Sequence, residues 1–355
     1  MPPEKTNEAA ADFTNLDEEF QVHLREHGLA LNENGYVRWD NANPKHPRNW
    51  SAGAKAYNTV VILLLEFITS AVGTVGTAAA QEMQTDFHVD LGLSIFCLTS
   101  MYLIGQGLGG AFFPRYSEVF GRKTLYIVST AVYCVFSIIT AAVHALPAII
   151  IARFLSGLAS SIPTIVVAGS IEDVFNTKAR VWMIFTWAVV GNAAVCIGPI
   201  YSAYVTQNLG WYANPSVFMA PLTFRRWVFW LAVIGLAILL GFCFLLKETR
   251  PSKLLEREVS AHRRKLPGRE IKTLNPDVAP DFRTLLIVTL LRPIRLLFTE
   301  PIIMAVSFMG SVTCALFYQQ AESIPLVFEV VHGNGITGFY PHSSGLSGQF
   351  LHALL

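Results

Sequence analysis

Seven apolar runs recur along the chain, near residues 57–79, 91–113, 125–143, 147–171, 181–205, 227–246 and 301–331. A helix needs about 20 predominantly apolar residues to cross the hydrocarbon of a bilayer, and there every backbone N–H and C=O must be satisfied within the segment itself. Runs of this length predict an all-α membrane protein with seven spans. Composition agrees, since 52% of the 355 residues are hydrophobic and only 14% are charged, against about a quarter charged in soluble domains. A net charge of +1 gives no electrostatic case for a nucleic-acid partner. Cys97, Cys134, Cys196, Cys243 and Cys314 all fall inside apolar runs, so they read as small buried hydrophobes rather than as a disulfide framework. No apolar stretch follows a basic start at the N-terminus, so the first span is expected to direct insertion by itself.

The order of these runs predicts five regions. Residues 1–50 form a polar tail, 51–246 a bundle of six closely spaced spans, 247–300 a polar linker rich in proline, 301–331 a seventh span and 332–355 an aberrant glycine-rich tail. A six-helix block, a long linker and a fresh span is how a transporter built from two six-helix halves begins. Lys and Arg set the orientation. One side collects Lys5, Arg25, Arg38, Lys45, Arg48, Lys55, Arg115, Arg122, Lys123, Lys178, Arg180 and the twelve basic residues of the linker, while the other holds Arg225 and Arg226. The positive-inside rule therefore places the N-terminus in the cytosol, which is opposite to heptahelical receptors. Arg38 to Trp50, with two tryptophans and two prolines, reads most simply as an interfacial anchor.

Few residues could carry chemistry inside such a bundle. Glu66 lies near the middle of the first span, where an ionised carboxylate is costly; it reads as a proton or cation site or as a paired structural acid. Arg153, early in the fourth span, could pair with Glu66, bind an anion or bind backbone carbonyls. Glu322 belongs to a polar group near the end of the seventh span, where substrate contact and helix-to-helix hydrogen bonding are both open. Gly105 with Gly109, and Ala194 with Gly198, are small-xxx-small pairs that permit close helix packing, and Pro199 adds a kink. Residues 114–123 read as a short charged loop wedged between two spans, and Glu172-Asp173 as a solvated helix end. No phosphate-binding glycine loop, Cys/His metal spacing or catalytic constellation occurs, so no enzyme, metal site or cofactor is expected.

Taken together, these stretches resemble the major facilitator superfamily, in its fungal drug:proton antiporter branch with twelve spans. Glu118, Gly121, Arg122 and Lys123 fill the positions of the family's loop between spans two and three, and Arg153 and Gly157 are similar to its fourth-span motif, with Ser156 where Gln is usual. Gly198-Pro199 looks like the centre of the fifth-span antiporter motif, although Ala194, Ser202 and Ala203 replace its other glycines. Trp39 to Trp50 resembles the branch's tryptophan and proline signature, and Arg292-Pro293, Glu300-Pro301, Glu322 and Pro325 resemble the entry to the second half.

The resemblance implies a multi-pass transporter in the plasma membrane. It would export small drug-like compounds or secondary metabolites against proton entry by alternating access, its partners being lipid, substrate and protons, with no obligate protein partner. Uptake of a nutrient or polyamine is the alternative. Glu66, Arg153 and Glu322 would line the proton or substrate pathway. Glu118, Gly121, Arg122, Lys123 and Asp173 would form a gating element. The resemblance also implies a second bundle that the chain enters without completing; residues 332–355 then read as out of frame, and a half-transporter that carries nothing is a further alternative.

Overall fold

The computed structural model describes residues 28–31, 37–40, 43–209, 227–263 and 295–332. Besides the helical residues 295–299, the α-helices are α1 (Ala52–Gly73), α2 (Gly76–Phe87), α3 (Leu91–Ile95), α4 (Met101–Phe120), α5 (Arg122–Ala142), α6 (Leu146–Val174), α7 (Thr177–Leu209), α8 (Trp227–Phe244), α9 (Pro251–Arg263) and α10 (Pro301–His332). A π turn, Phe96–Ser100, joins α3 to α4 in one long rod. Strands β1 (Leu29–Leu31) and β2 (Val37–Trp39) pair antiparallel with Leu29 opposite Trp39. Six segments are long and apolar enough to cross a membrane, Ala52–Gly73, Leu91–Pro114, Arg122–Ala142, Leu146–Val174, Thr177–Ser202 and Pro301–Gln320, and Val228–Phe244 is a shorter apolar helix. The 18 residues of α8 rise about 27 Å, close to the thickness of the hydrocarbon layer. This is a multi-pass, all-α membrane protein.

Small residues decide which helices meet. A Cβ at Gly105 would collide with the carbonyl of Phe154, and one at Gly157 with the carbonyl of Tyr102, so α4 and α6 lie backbone against backbone. Around that contact sit two apolar clusters. One includes Val72, Tyr102, Tyr133, Phe229 and Leu236. The other includes Leu65, Tyr126, Ile162, Val166 and Leu239. Helices α1, α5, α6 and α8 therefore share the interior, while α7 and α10 remain largely exposed, as shown by Trp182 at 70% and Phe308 at 70%.

Several expectations require correction. The first span begins at Ala52 and ends at Gly73 rather than at residue 79. Thr74 breaks it, with its hydroxyl donating to the Ala71 carbonyl at 3.0 Å, and a separate helix starts at Gly76. Residues 114–120 are helical, so the expected charged loop shrinks to Gly121, at φ 89°. Pro114 lies inside this helix, and its carbonyl accepts from Ser117 Oγ one turn on. Leu29–Leu31 of the supposed solvated tail are a strand with Leu29 fully buried, and the supposed linker contains α9. Residues 333–355, like 264–294, lie outside the described residues.

Candidate functional site

Glu66 sits on α1 at 3% exposure. Ser70, one turn on, donates to its Oε1 at 3.2 Å, the Thr164 hydroxyl of α6 also lies within reach of the carboxylate, and Oε2 makes no well-aligned hydrogen bond among the described residues. The carboxylate faces α7, since a Cβ at Gly191 would lie 3.6 Å from Oε1. A buried acid with an unsatisfied oxygen is costly where no water reaches it, and glycine across from it leaves room for a proton donor or a ligand.

Arg153 does not pair with Glu66. Its Nε donates to the Leu98 carbonyl inside the π turn at 2.7 Å. Nη2 approaches the carbonyls of Val72 and Gly73 at the end of α1, at 3.4 and 3.5 Å. The guanidinium also lies over the rings of Tyr102, 4.8 Å to the centroid, and Phe229, 5.3 Å. Arginine suits this position because its fork reaches several carbonyls at once while its face stacks on aromatic rings. The backbone-carbonyl reading of Arg153 is the one the geometry holds.

At the opposite end of these helices a charged cluster joins α4, α5, α6 and α8. Arg122 Nε lies 2.9 Å from Asp173 Oδ2, with both side chains over nine-tenths buried. The contact is an ion pair without a well-aligned hydrogen bond, and Arg122 Nη1 donates instead to the Val166 carbonyl at 3.1 Å. Asp173 is thus a buried partner and not a solvated helix end. Glu118 is half exposed and 3.9 Å from Arg250. Lys123 Nζ donates to the Phe244 carbonyl at 2.9 Å, placing a cation on the last turn of α8.

Sequence reasoning missed Glu248, which organises this cluster. Its Oε1 accepts from the Arg122 amide at 2.9 Å and its Oε2 from the Lys123 amide at 3.1 Å, so a carboxylate caps the first turn of α5. Gly121 is required beside it, because a Cβ there would stand 2.6 Å from Glu248 Oε2. The signal available in sequence was an acid flanked by basic residues just beyond the sixth apolar run, a pattern that solvated helix ends share.

Gly198 and Pro199 lie inside α7. A Cβ at Gly198 would strike the Thr74 hydroxyl and the Ala71 carbonyl, and Ser202 Oγ donates to the Val75 carbonyl at 3.0 Å. The motif therefore packs against the break between α1 and α2. The Glu322 side chain lies outside the described residues.

The family model described as Major Facilitator Superfamily matches residues 61–355. The chain is 26% identical to the efflux pump radE of Floropilus chiversii, over 88% of this chain and 56% of that protein. It is 28% identical to fluconazole resistance protein 1 of Saccharomyces cerevisiae, over 82% of this chain and 52% of that one. The chain thus spans about half the length of the curated relatives it matches. A solved bacterial homologue of the human lysosomal transporter Spinster, inward-facing and unoccupied, resembles it with TM-score 0.49 and 12% identity, over 82% of this chain and 58% of that chain. With a match covering most of its length, the chain belongs to the Major Facilitator Superfamily.

Proposed function

We propose that the protein acts in the export of small drug-like compounds or secondary metabolites, driven by protons moving the other way, with Glu66 as the proton carrier. One observation carries this reading. Glu66 is a buried acid inside a membrane-crossing helix, with one carboxylate oxygen lacking a well-aligned hydrogen bond among the described residues, and an acid so placed is costly to ionise, which favours a role in taking up and releasing a proton. The names of the relatives, an efflux pump and a fluconazole resistance protein, support export over uptake. The Arg122–Asp173 pair and the Glu248 cap serve as a gate, locked when they are made and open when they part. Basic residues gathered at that end support a cytosolic N-terminus, and export out of the cell sets the protein in the plasma membrane.

The test is uptake of a lipophilic fluorescent cation into inverted vesicles carrying the protein, with and without an imposed pH gradient. Accumulation that needs the gradient, and that Glu66→Gln abolishes, is the expected result. Gradient-dependent accumulation that survives Glu66→Gln removes Glu66 from the mechanism, and net flux in the opposite direction makes the protein an uptake facilitator.

A further inference from the structure

Outside the bundle, residues 28–31, 37–40 and 43–50 build a small structure with α9. Leu29 and Val37 of the hairpin, at 0% and 1% exposure, pack with Leu255 and Val259 of α9, at 6% and 4%, and Trp39 covers the edge. These apolar groups form a third cluster, separate from the two in the bundle. Polar contacts fasten it. The Trp39 indole donates to the Pro251 carbonyl at 3.0 Å, and Lys45 pairs with Glu258. Asn43, buried at 4%, donates to the Gly28 carbonyl at 2.8 Å, and Asn49 donates to the Asn43 carbonyl at 2.9 Å. The segment is folded on itself before it reaches the membrane.

Its other end is tied to the bundle. The single turn Pro47–Asn49 touches α6, and Lys55 Nζ donates to the Arg48 carbonyl at 2.7 Å. Lys247 Nζ sits over the Trp50 ring, 5.8 Å from its centroid, while the Lys247 amide donates to Asn58 Oδ1 on α1 at 3.1 Å. Residues 247–251 are therefore gripped at both ends, by Trp50 and Asn58 at Lys247 and by Trp39 at Pro251. Glu248, the cap of α5, lies between the two grips.

We propose that the hairpin strands Leu29–Leu31 and Val37–Trp39, with residues 43–50, form a strap that holds Glu248 on the first turn of α5, so that the strap sets how readily the charged end of the bundle opens. The distances make the coupling short. Glu248 is three residues from Pro251, and its Oε1 also accepts from the Arg250 amide at 3.0 Å, which ties the cap to the start of α9. Losing the strap frees α9, and the carboxylate then has a mobile base on one side. The buried Arg122–Asp173 pair lies beneath that carboxylate's helix turn, so the same release loosens the cluster that the transport reading treats as a gate.

Amide hydrogen exchange of the full chain in lipid nanodiscs tests the strap without any transport assay, so its failure and the failure of the export reading are distinguishable. Trp39→Ala removes both the apolar cover and the indole donor. The expected result is faster exchange, by about tenfold or more, across α9 and also at the Arg122 and Lys123 amides. Faster exchange in α9 with the Arg122 and Lys123 amides unchanged overturns the proposal, and so does no change in either. Charge reversal at the pair of exposed Lys45 and half-buried Glu258 guards against a variant that fails to fold. Lys45→Glu alone should quicken both regions, and Lys45→Glu with Glu258→Lys should return both to the parent rates. A double variant that stays as fast as the single one at Arg122 and Lys123 overturns the coupling.

Discussion

Arg122 and Asp173 show how much one side chain can control in this protein. Both are buried, at 5% and 9% exposure, and removing one member of a buried pair strands the other charge at a cost of about 3–5 kcal/mol. Arg122→Ala should therefore lower the melting temperature of the purified protein clearly, as followed by intrinsic fluorescence. Glu118→Ala should leave it nearly unchanged, because the Glu118 carboxylate is 46% exposed and 3.9 Å from Arg250, and such pairs contribute little. His46 gives the strap a pH response. Burial, and then the Arg48 charge, lower its pKa from the ordinary 6.5, and its Nδ1 accepts from the Arg48 amide at 3.2 Å. The folded strap thus binds fewer protons than the unfolded segment, so its stability is whole above pH 6.5 and falls as the pH drops below that value. Divided by the intrinsic exchange rate at each pH, the protection of the Asn49 and Trp50 amides should hold above pH 6.5 and fall as the pH drops below it, and His46→Gln should flatten that dependence.

Among the helices, glycine placement separates contacts from spacers. Gly105 has no room for a Cβ against the Phe154 carbonyl, whereas a Cβ at Gly107 on the same helix would meet nothing within 4 Å. Gly105→Ala should push α4 from α6 and cost about 1–3 kcal/mol, and Gly107→Ala should be neutral or slightly stabilising through helix propensity. Thermal melting of the two variants side by side checks the contrast. The same pair of glycines marks what sequence reading reached. Length and hydropathy make the spans visible because lipid forces each helix to satisfy its own backbone, so α1, α4, α5, α6 and α7 all lie where apolar runs place them, with ends shifted by several residues. The break at Thr74 and the π turn at Phe96–Ser100 were illegible, since both interrupt apolar runs without changing their composition. Arg122 and Asp173 could be named together only through a family resemblance. Glu248 could not be named at all, because its partners are backbone amides more than a hundred residues away. The hairpin escaped for a similar reason: three-residue strands carry no periodicity, and Trp39 meets Pro251 across 212 positions.

At the scale of the whole molecule, charge is gathered at one end of the bundle. Lys45, Arg48 and Lys55 of the strap and α1, Arg122 and Lys123 of α5, Arg180 of α7, and Lys247, Arg250 and Lys253 beside α9 all belong to one network of contacts or to helix ends joined by it. The connection between α5 and α6 lies at the far end, where His144 is exposed. Moving so many cations across a bilayer costs several kcal/mol per charge, so the basic end should stay where the chain is synthesised, in the cytosol. Two single-cysteine probes measure this. Cys97, Cys134 and Cys243 are buried and need no replacement, while Cys196 and Cys314 are exposed and are changed to Ser. In intact cells a membrane-impermeant maleimide should label His144→Cys and leave Lys253→Cys unmodified, with both labelled once the membrane is permeabilised. The reverse pattern would put the strap, the Glu248 cap and the Arg122–Asp173 pair outside, and a gate facing that way could not take substrate from the cytosol for export.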